Sequence, residues 1–185
     1  MSTHYGIVGL GPVGAVFATL LGQKGHRVSI LCRNATRAEY FKQTSLRLKG
    51  KLEAEWAPTQ VVTGLDEFLA LAPQVILICT KASQSNDLVR QMQAMGAPQK
   101  TVFVCCQNGI DVEEQVSQVF GAQRTLRMVL NLGCNFVKVN EVWVAFCFHH
   151  VLSAGEAADG MDGRICEDLR QAGLEFEVRK EYKED

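Results

Sequence analysis

No stretch of this chain is apolar for anything near the ~20 residues that a membrane-spanning helix needs. Its first residues also lack the basic-then-apolar order of an export signal. There is no Cys-x-x-Cys pair to seed a zinc or redox site. Charge of either sign is not in excess: 19 basic residues meet 20 acidic ones. The resulting net charge of -1 offers no field to gather nucleic acid or an anionic membrane. Internal repeats and low-complexity tracts are missing too. What remains is a globular protein of the cytoplasm whose partner is neither a nucleic acid nor a membrane.

The chain has 185 residues, 47% of them hydrophobic, enough to bury the core of one domain with at most a small appendage. Its seven cysteines are an odd number. Cys79, Cys105, Cys106, Cys134 and Cys147 lie among β-formers, where a free thiol acts as a small hydrophobe. Neither disulfides nor a bound metal are expected.

Strand-like and helix-like segments alternate from the start. Tyr5–Val8 is a short apolar run stopped by glycine. From Pro12 to Lys24, Val13, Val16, Phe17, Leu20 and Leu21 recur at helical spacing, with proline where its missing N–H is no loss and Gly25 as the stop. Val28–Cys32 reads as a second buried strand. Asn34 caps a helix through Phe41, and Leu46–Trp56 alternates like a hairpin around Gly50. A short helical stretch begins at Asp66. Then come the strand Gln74–Thr80, a helix over 85–95, the strand Thr101–Cys106 and a helix over 111–120. Beyond Thr125 the runs 126–132 and 142–152 are strand-like. A glycine-rich loop over 155–163, a helix over 162–172 and a last strand over 174–178 complete the chain. This order predicts an α/β fold: a Rossmann-type, doubly wound, mostly parallel sheet with antiparallel strands added late.

Gly9-Leu10-Gly11-Pro12-Val13-Gly14 matches G-x-G-x-x-G. The hexapeptide alone is weak evidence, but here it leaves a strand and opens a helix inside a unit of βαβ length, as the dinucleotide fingerprint requires. Gly9 would permit the tight turn, Gly11 the approach of a pyrophosphate to bare backbone, and Gly14 close packing of helix on sheet. The helix would aim its free N–H groups at the phosphates. About 20 residues past the fingerprint, NAD enzymes usually place an acid to hold the ribose 2′-hydroxyl. That place is Cys32, followed by Arg33. With no carboxylate and a cation next in line, the expected cofactor is NADP(H).

Ligands of open α/β sheets sit outside the carboxyl ends of the strands. Two further ends are polar: Thr80-Lys81 and Gln107-Asn108-Gly109. Lys81 starts a helix, a poor place for a cation unless a ligand anion compensates it. Asn108 precedes glycine, which also suits a plain turn. Because the two strand ends would share one crevice with Gly9 and Arg33, Lys81 and Asn108 are placed near the nicotinamide and the substrate. His149 and His150 are neighbours on a predicted strand and so face opposite ways, which argues for structural roles.

The fingerprint with Arg33, the run Val75–Ala82 and Gln107-Asn-Gly-Ile110 together resemble the amino-terminal domain of the ketopantoate reductase (2-dehydropantoate 2-reductase) family, from Tyr5 to about Gly155. The resemblance implies hydride transfer from NADPH to a 2-oxo acid, 2-dehydropantoate giving pantoate for pantothenate and coenzyme A synthesis. It implies cofactor contacts at Gly9 to Gly14, Arg33, Thr80, Lys81 and Asn108. It puts the family's general-acid lysine beyond Asp185, in an all-helical second domain, so no catalytic residue is assigned; Lys180 and Lys183 belong to a charged terminal run. On this reading residues 1–179 form the NADP-binding domain and 180–185 begin a truncated linker. A domain without its partner would expose an apolar patch and self-associate as a homo-oligomer. Two alternatives stay open: a non-catalytic NADP-binding module, and another β-hydroxyacid-type dehydrogenase.

Overall fold

His4–Val8 (β1) is buried at every position because it has a strand on each side. Arg27–Leu31 (β2) and Val75–Ile78 (β6) pair with it in parallel, Ile7 facing Ile30 on one side and Leu77 on the other. The computed structural model describes residues 2–109, 111–153 and 160–179. Its main sheet has eight strands in the order β12-β11-β8-β7-β6-β1-β2-β5. The outer members are β5 (Gln60–Val62), β7 (Val102–Cys105), β8 (Thr125–Val129), β11 (His150–Ser153) and β12 (Phe176–Arg179). From β5 to β8 every pairing is parallel. Then β11 joins β8 antiparallel, and β12 lies parallel to β11. The sheet is therefore doubly wound with a late antiparallel addition.

Helices cover both faces. Pro12–Gln23 (α1) and Met161–Gln171 (α6) share one core with Ile7, Leu77 and Val104. Leu65–Ala70 (α3), Ala82–Ala94 (α4) and Val112–Phe120 (α5) share the other with Ile76, Ile78 and Phe103. Ala35–Gln43 (α2) is capped by Asn34, whose side chain accepts a hydrogen bond from the Arg37 N–H at 2.9 Å.

A second sheet runs β4-β3-β10-β9, from Ala54–Trp56 (β4), Leu46–Gly50 (β3), Glu141–Cys147 (β10) and Leu132–Lys138 (β9). The hairpin expected over 46–56 is there. It is completed by the parallel partner β10, far along the chain. This sheet lies on the outer side of α1, bringing Leu48, Val142 and Val144 into the same core. As a result, eight consecutive α1 residues, Gly14 to Leu21, are buried.

Two expected runs divide. The run 126–132 stops at Val129, and β9 starts at Leu132; the run 142–152 is β10 followed by β11. In both places the chain leaves one sheet for the other. The strand β5 was not foreseen, being only three residues at an edge. Of the expected loop 155–163, residues 155–159 lie outside the described part, and Gly163 sits within α6.

Several buried polar side chains are tied by hydrogen bonds. Asp168 of α6 accepts from Thr3 Oγ1 and Tyr5 OH, each at 2.7 Å, and its other oxygen lies 3.8 Å from His26 Nε2. Burial, then the Asp168 hydrogen bond, push the Tyr5 hydroxyl upward. His150 accepts the Asn131 N–H on Nδ1 at 3.0 Å, and its Nε2 meets Cys147 Sγ at 3.3 Å. Burial and the neighbouring His149 bring His150 down to about 4. His149 pairs instead with Glu177 at 3.3 Å. All seven cysteines are free, and no metal-holding cluster exists among the described residues. Among those residues no helix is long and apolar enough to cross a membrane. Trp143, Phe146 and Phe148 stand exposed, the last two stacked with centroids 5.5 Å apart.

Candidate functional site

Strands β2, β1, β6 and β7 are parallel neighbours, so their carboxyl ends emerge along one edge. The chain runs from β1 outward through β2 to β5, then returns to β6 on the other side of β1. That reversal leaves a crevice above β1, where ligands of such sheets bind. The Gly9–Gly14 loop stands there.

Each glycine of the loop meets a different environment. Gly9 has φ +96°, and a Cβ on it would lie 2.8 Å from the Thr80 nitrogen. A Cβ on Gly14 would lie 2.2 Å from the Gly9 carbonyl oxygen, so the first turn of α1 touches the loop directly. A Cβ on Gly11 would meet nothing within 4 Å. Gly11 is the N-cap of α1, no side chain caps the helix, and the first intrahelical bond is Ala15 N–H to Gly11 C=O at 2.9 Å. The N–H groups of Val13 and Gly14 thus have no acceptor within the helix, and the positive end of its dipole looks outward. Open space at Gly11, bare N–H groups and a helix dipole suit a diphosphate.

Two adjoining cavities occupy the crevice. One, of about 300 Å³, is bounded by Gly9, Leu10, Gly11, Cys32, Arg33, Arg37, Thr80, Lys81 and Gln84, among others. The other, of about 310 Å³, is bounded by Val13, Thr80, Lys81, Cys106, Gln107, Asn108, Leu130 and Leu132, among others. Cys79, Thr80 and Lys81 form the shared wall. The structure therefore brings Gly9, Leu10, Gly11, Arg33, Thr80 and Lys81 together in the first, and Val13, Thr80, Lys81 and Asn108 in the second. Leu10 buries its side chain in the core. Pro12, the first residue of α1, and Gly14, packed on Gly9, border neither cavity. A larger open groove of about 790 Å³ between α2 and β9 meets the first cavity at Asn34 and Arg37.

Arg33 is exposed just past β2. Arg37 shares its cavity, and its guanidinium also lies over the Phe136 ring, 4.7 Å from the centroid. Sequence reasoning passed over Arg37, although a cation four residues after Arg33, in the first turn of a helix capped by Asn34, was a readable sign. It also gave no role to Gln107. That side chain is buried; its Nε2 donates to Ser85 Oγ at 2.8 Å and, more weakly, to Thr80 Oγ1 at 3.4 Å. Its Oε1 is buried with no hydrogen-bond partner among the described residues. Gln107 thus ties the end of β7 to the first turn of α4, steadying Thr80 and Lys81. Lys81 is the N-cap of α4, with no capping side-chain hydrogen bond. On the inner wall, burial and the adjacent Cys79 push the Cys106 thiol well up, so it is neutral near pH 7. The wall of the second cavity is thus mixed, with Cys106, Leu130 and Leu132 beside Thr80, Lys81, Gln107 and Asn108.

A family model described as ketopantoate reductase PanE/ApbA matches residues 5–158. The 2-dehydropantoate 2-reductase of Aquifex aeolicus (strain VF5) is 19% identical over 183 residues, which cover 97% of this chain and 55% of that protein. The crystal structure of 2-dehydropantoate 2-reductase from Geobacter metallireducens GS-15 matches with a TM-score of 0.82 at 21% identity, covering 95% of this chain and 57% of that one. D-mandelate dehydrogenase, solved in complex with NADH, matches with a TM-score of 0.76 at 19% identity, covering 97% of this chain and 56% of that one. At such identities the structural likeness speaks for the fold. The chain spans about 55% of the length of the curated relative.

Proposed function

This chain belongs to the ketopantoate reductase family, and from that premise we propose that it supplies the NADPH-binding half of an enzyme that reduces a 2-oxo acid, with 2-dehydropantoate as the substrate and pantoate as the product. The observation that carries the reading is the open space at Gly11, on an uncapped helix terminus, across a cavity from Arg33. A diphosphate there would accept hydrogen bonds from the first turn of α1. Arg33, with Arg37 beside it, would hold the 2′-phosphate, and Cys32 leaves no carboxylate to repel it. Lys81 and Asn108 would lie at the nicotinamide and substrate end.

NADPH, when bound, supplies the hydride. The chain's own part is to hold and orient: a cation at Lys81 and an amide at Asn108 border the second cavity, where they can bind the oxygens of an oxo acid. The apolar side chains of Cys106, Leu130 and Leu132 in its wall would help keep water from the reacting carbon. No proton donor for the carbonyl oxygen is assigned within the chain. A second reading is an NADH-using enzyme acting on another 2-oxo acid, which the D-mandelate dehydrogenase likeness favours. Arg33 weighs against it.

Titration of the chain with NADPH and NADH, followed by fluorescence, separates the two. Arg33→Ala should weaken NADPH by roughly tenfold, about 1.4 kcal/mol for a lost charge-assisted contact, while NADH changes by less than twofold. Equal weakening of both would defeat the 2′-phosphate assignment. An NADPH-oxidation assay with 2-dehydropantoate, on the chain joined to the helical half of a relative, tests the substrate.

A further inference from the structure

Arg127 is a cation in the middle of the main sheet. It lies on β8, opposite Cys105 of β7, with β11 on the other side, and is only 7% exposed. Removing a guanidinium from water is expensive unless its donors are used well. Here they are used sparsely. Nη2 donates to the Gly109 carbonyl at 2.9 Å, while Nη1 is buried with no hydrogen-bond partner among the described residues. The backbone N–H of Arg127 donates to Ser153 Oγ at 2.8 Å, so the strand is anchored independently of the side chain. What the guanidinium visibly secures is one carbonyl in the loop between β7 and α5.

That loop needs securing. Gly109 has φ +131°, a conformation L side chains rarely adopt, and Asp111 is left-handed at φ 55°. Between them and β7 lies Asn108, exposed and with no side-chain hydrogen bond among the described residues. Where Asn108 points is therefore decided by its backbone. On the β7 side the backbone is held by Gln107 through Ser85 and Thr80; on the other side it is held by Arg127. The two anchors bracket Asn108, which borders the second cavity at its exposed side.

We infer that Arg127 is a positioning residue for the nicotinamide end of the cofactor, holding Asn108 over the second cavity through the Gly109 carbonyl. This rests on the NADPH reading given above. It predicts an effect confined to one end of the ligand. The diphosphate and 2′-phosphate would be held at Gly11, Arg33 and Arg37, with which Arg127 makes no hydrogen bond.

The test uses the full chain and two probes, NADPH and 2′-phospho-ADP-ribose, which lacks the nicotinamide. Arg127→Met should raise the Kd for NADPH about tenfold and leave that for the fragment within twofold. Arg127→Lys, which keeps a cationic donor nitrogen, should recover most of the loss. In an Asn108→Ala background, Arg127→Met should cost NADPH nothing further, since coupled residues are non-additive. Equal weakening of both probes, or full additivity with Asn108→Ala, would reduce Arg127 to a fold residue and overturn the inference. Should Arg127→Met not fold, the Arg127→Lys variant read against the same probes decides, an unselective loss counting against the inference. A wild-type chain that binds neither probe would instead bring down the cofactor reading itself.

Discussion

Two glycines three residues apart should respond in opposite ways to the same added methyl group. At Gly11 the backbone is extended, φ -80° and ψ -175°, which alanine adopts freely, and a Cβ would meet nothing within 4 Å. Gly11→Ala should therefore change stability by less than about 1 kcal/mol, the usual cost of alanine for glycine at an N-cap. The methyl group would stand where the proposed diphosphate would approach, and NADPH affinity should fall at least about tenfold, or 1.4 kcal/mol. At Gly14 a Cβ would lie 2.2 Å from the Gly9 oxygen. An ordinary contact is over 1 Å longer, and the clash is with backbone, so α1 must move off the loop. Overpacking of that kind costs about 1–3 kcal/mol. At roughly 2–4 °C per kcal/mol for a chain of this size, the melting temperature should drop by about 2–12 °C. Thermal denaturation and NADPH fluorescence titration on the two variants read both effects. If Gly11→Ala binds NADPH within twofold of the parent while Gly14→Ala melts normally, the assignment of the loop is wrong.

Other predictions concern the scaffold. His4 and His150 are both brought down to about 4 by burial, with Arg27 and His149 respectively adding to the effect. In the unfolded chain each titrates near the ordinary 6.5, so between pH 6.5 and 4 the unfolded state binds more protons. Stability should be full above pH 6.5 and fall by about 1.4 kcal/mol per histidine per pH unit below it. Denaturant melts at pH 7.5 and 5 would show this. His150→Asn should flatten the slope, and a pH-independent midpoint would contradict the burial argument. Asp168→Ala would strand the buried donors on Thr3 and Tyr5, costing about 2–4 kcal/mol while leaving NADPH binding alone, because it acts at the opposite edge of the sheet. A melting temperature within 2 °C of the parent would contradict it.

Much of the central β-α alternation could be read from the sequence because its signals are local. Pro12 after Gly11 and Gly25 after Lys24 mark both ends of α1, and continuous apolar runs such as Val75–Ile78 announce strands buried on two faces. The second sheet could not be read that way. Its β3 finds β10 across more than ninety residues, and the β-formers of 142–152 give no mark where the chain passes from one sheet to the other. The apolar spacing of α1 suggested one buried stripe, yet Ala15, Ala18 and Thr19 are buried as well, under a cover whose strands lie elsewhere in the sequence. At the candidate site, Gly11, Arg33, Lys81 and Asn108 stood out because strand ends are where polar residues carry meaning. Arg127 did not, since a cation inside a strand-like run looks like a surface residue until both neighbouring strands are in place.

The double cover of α1 bears on how a ligand would be received. A helix buried between two sheets from Gly14 to Leu21 has little room to tilt or slide toward what lands on its first turn, so the axis of that turn is set before any anion arrives. Association would then spend little of its free energy on ordering protein, and discrimination among anions would follow from fit to a fixed shape rather than from closure around them.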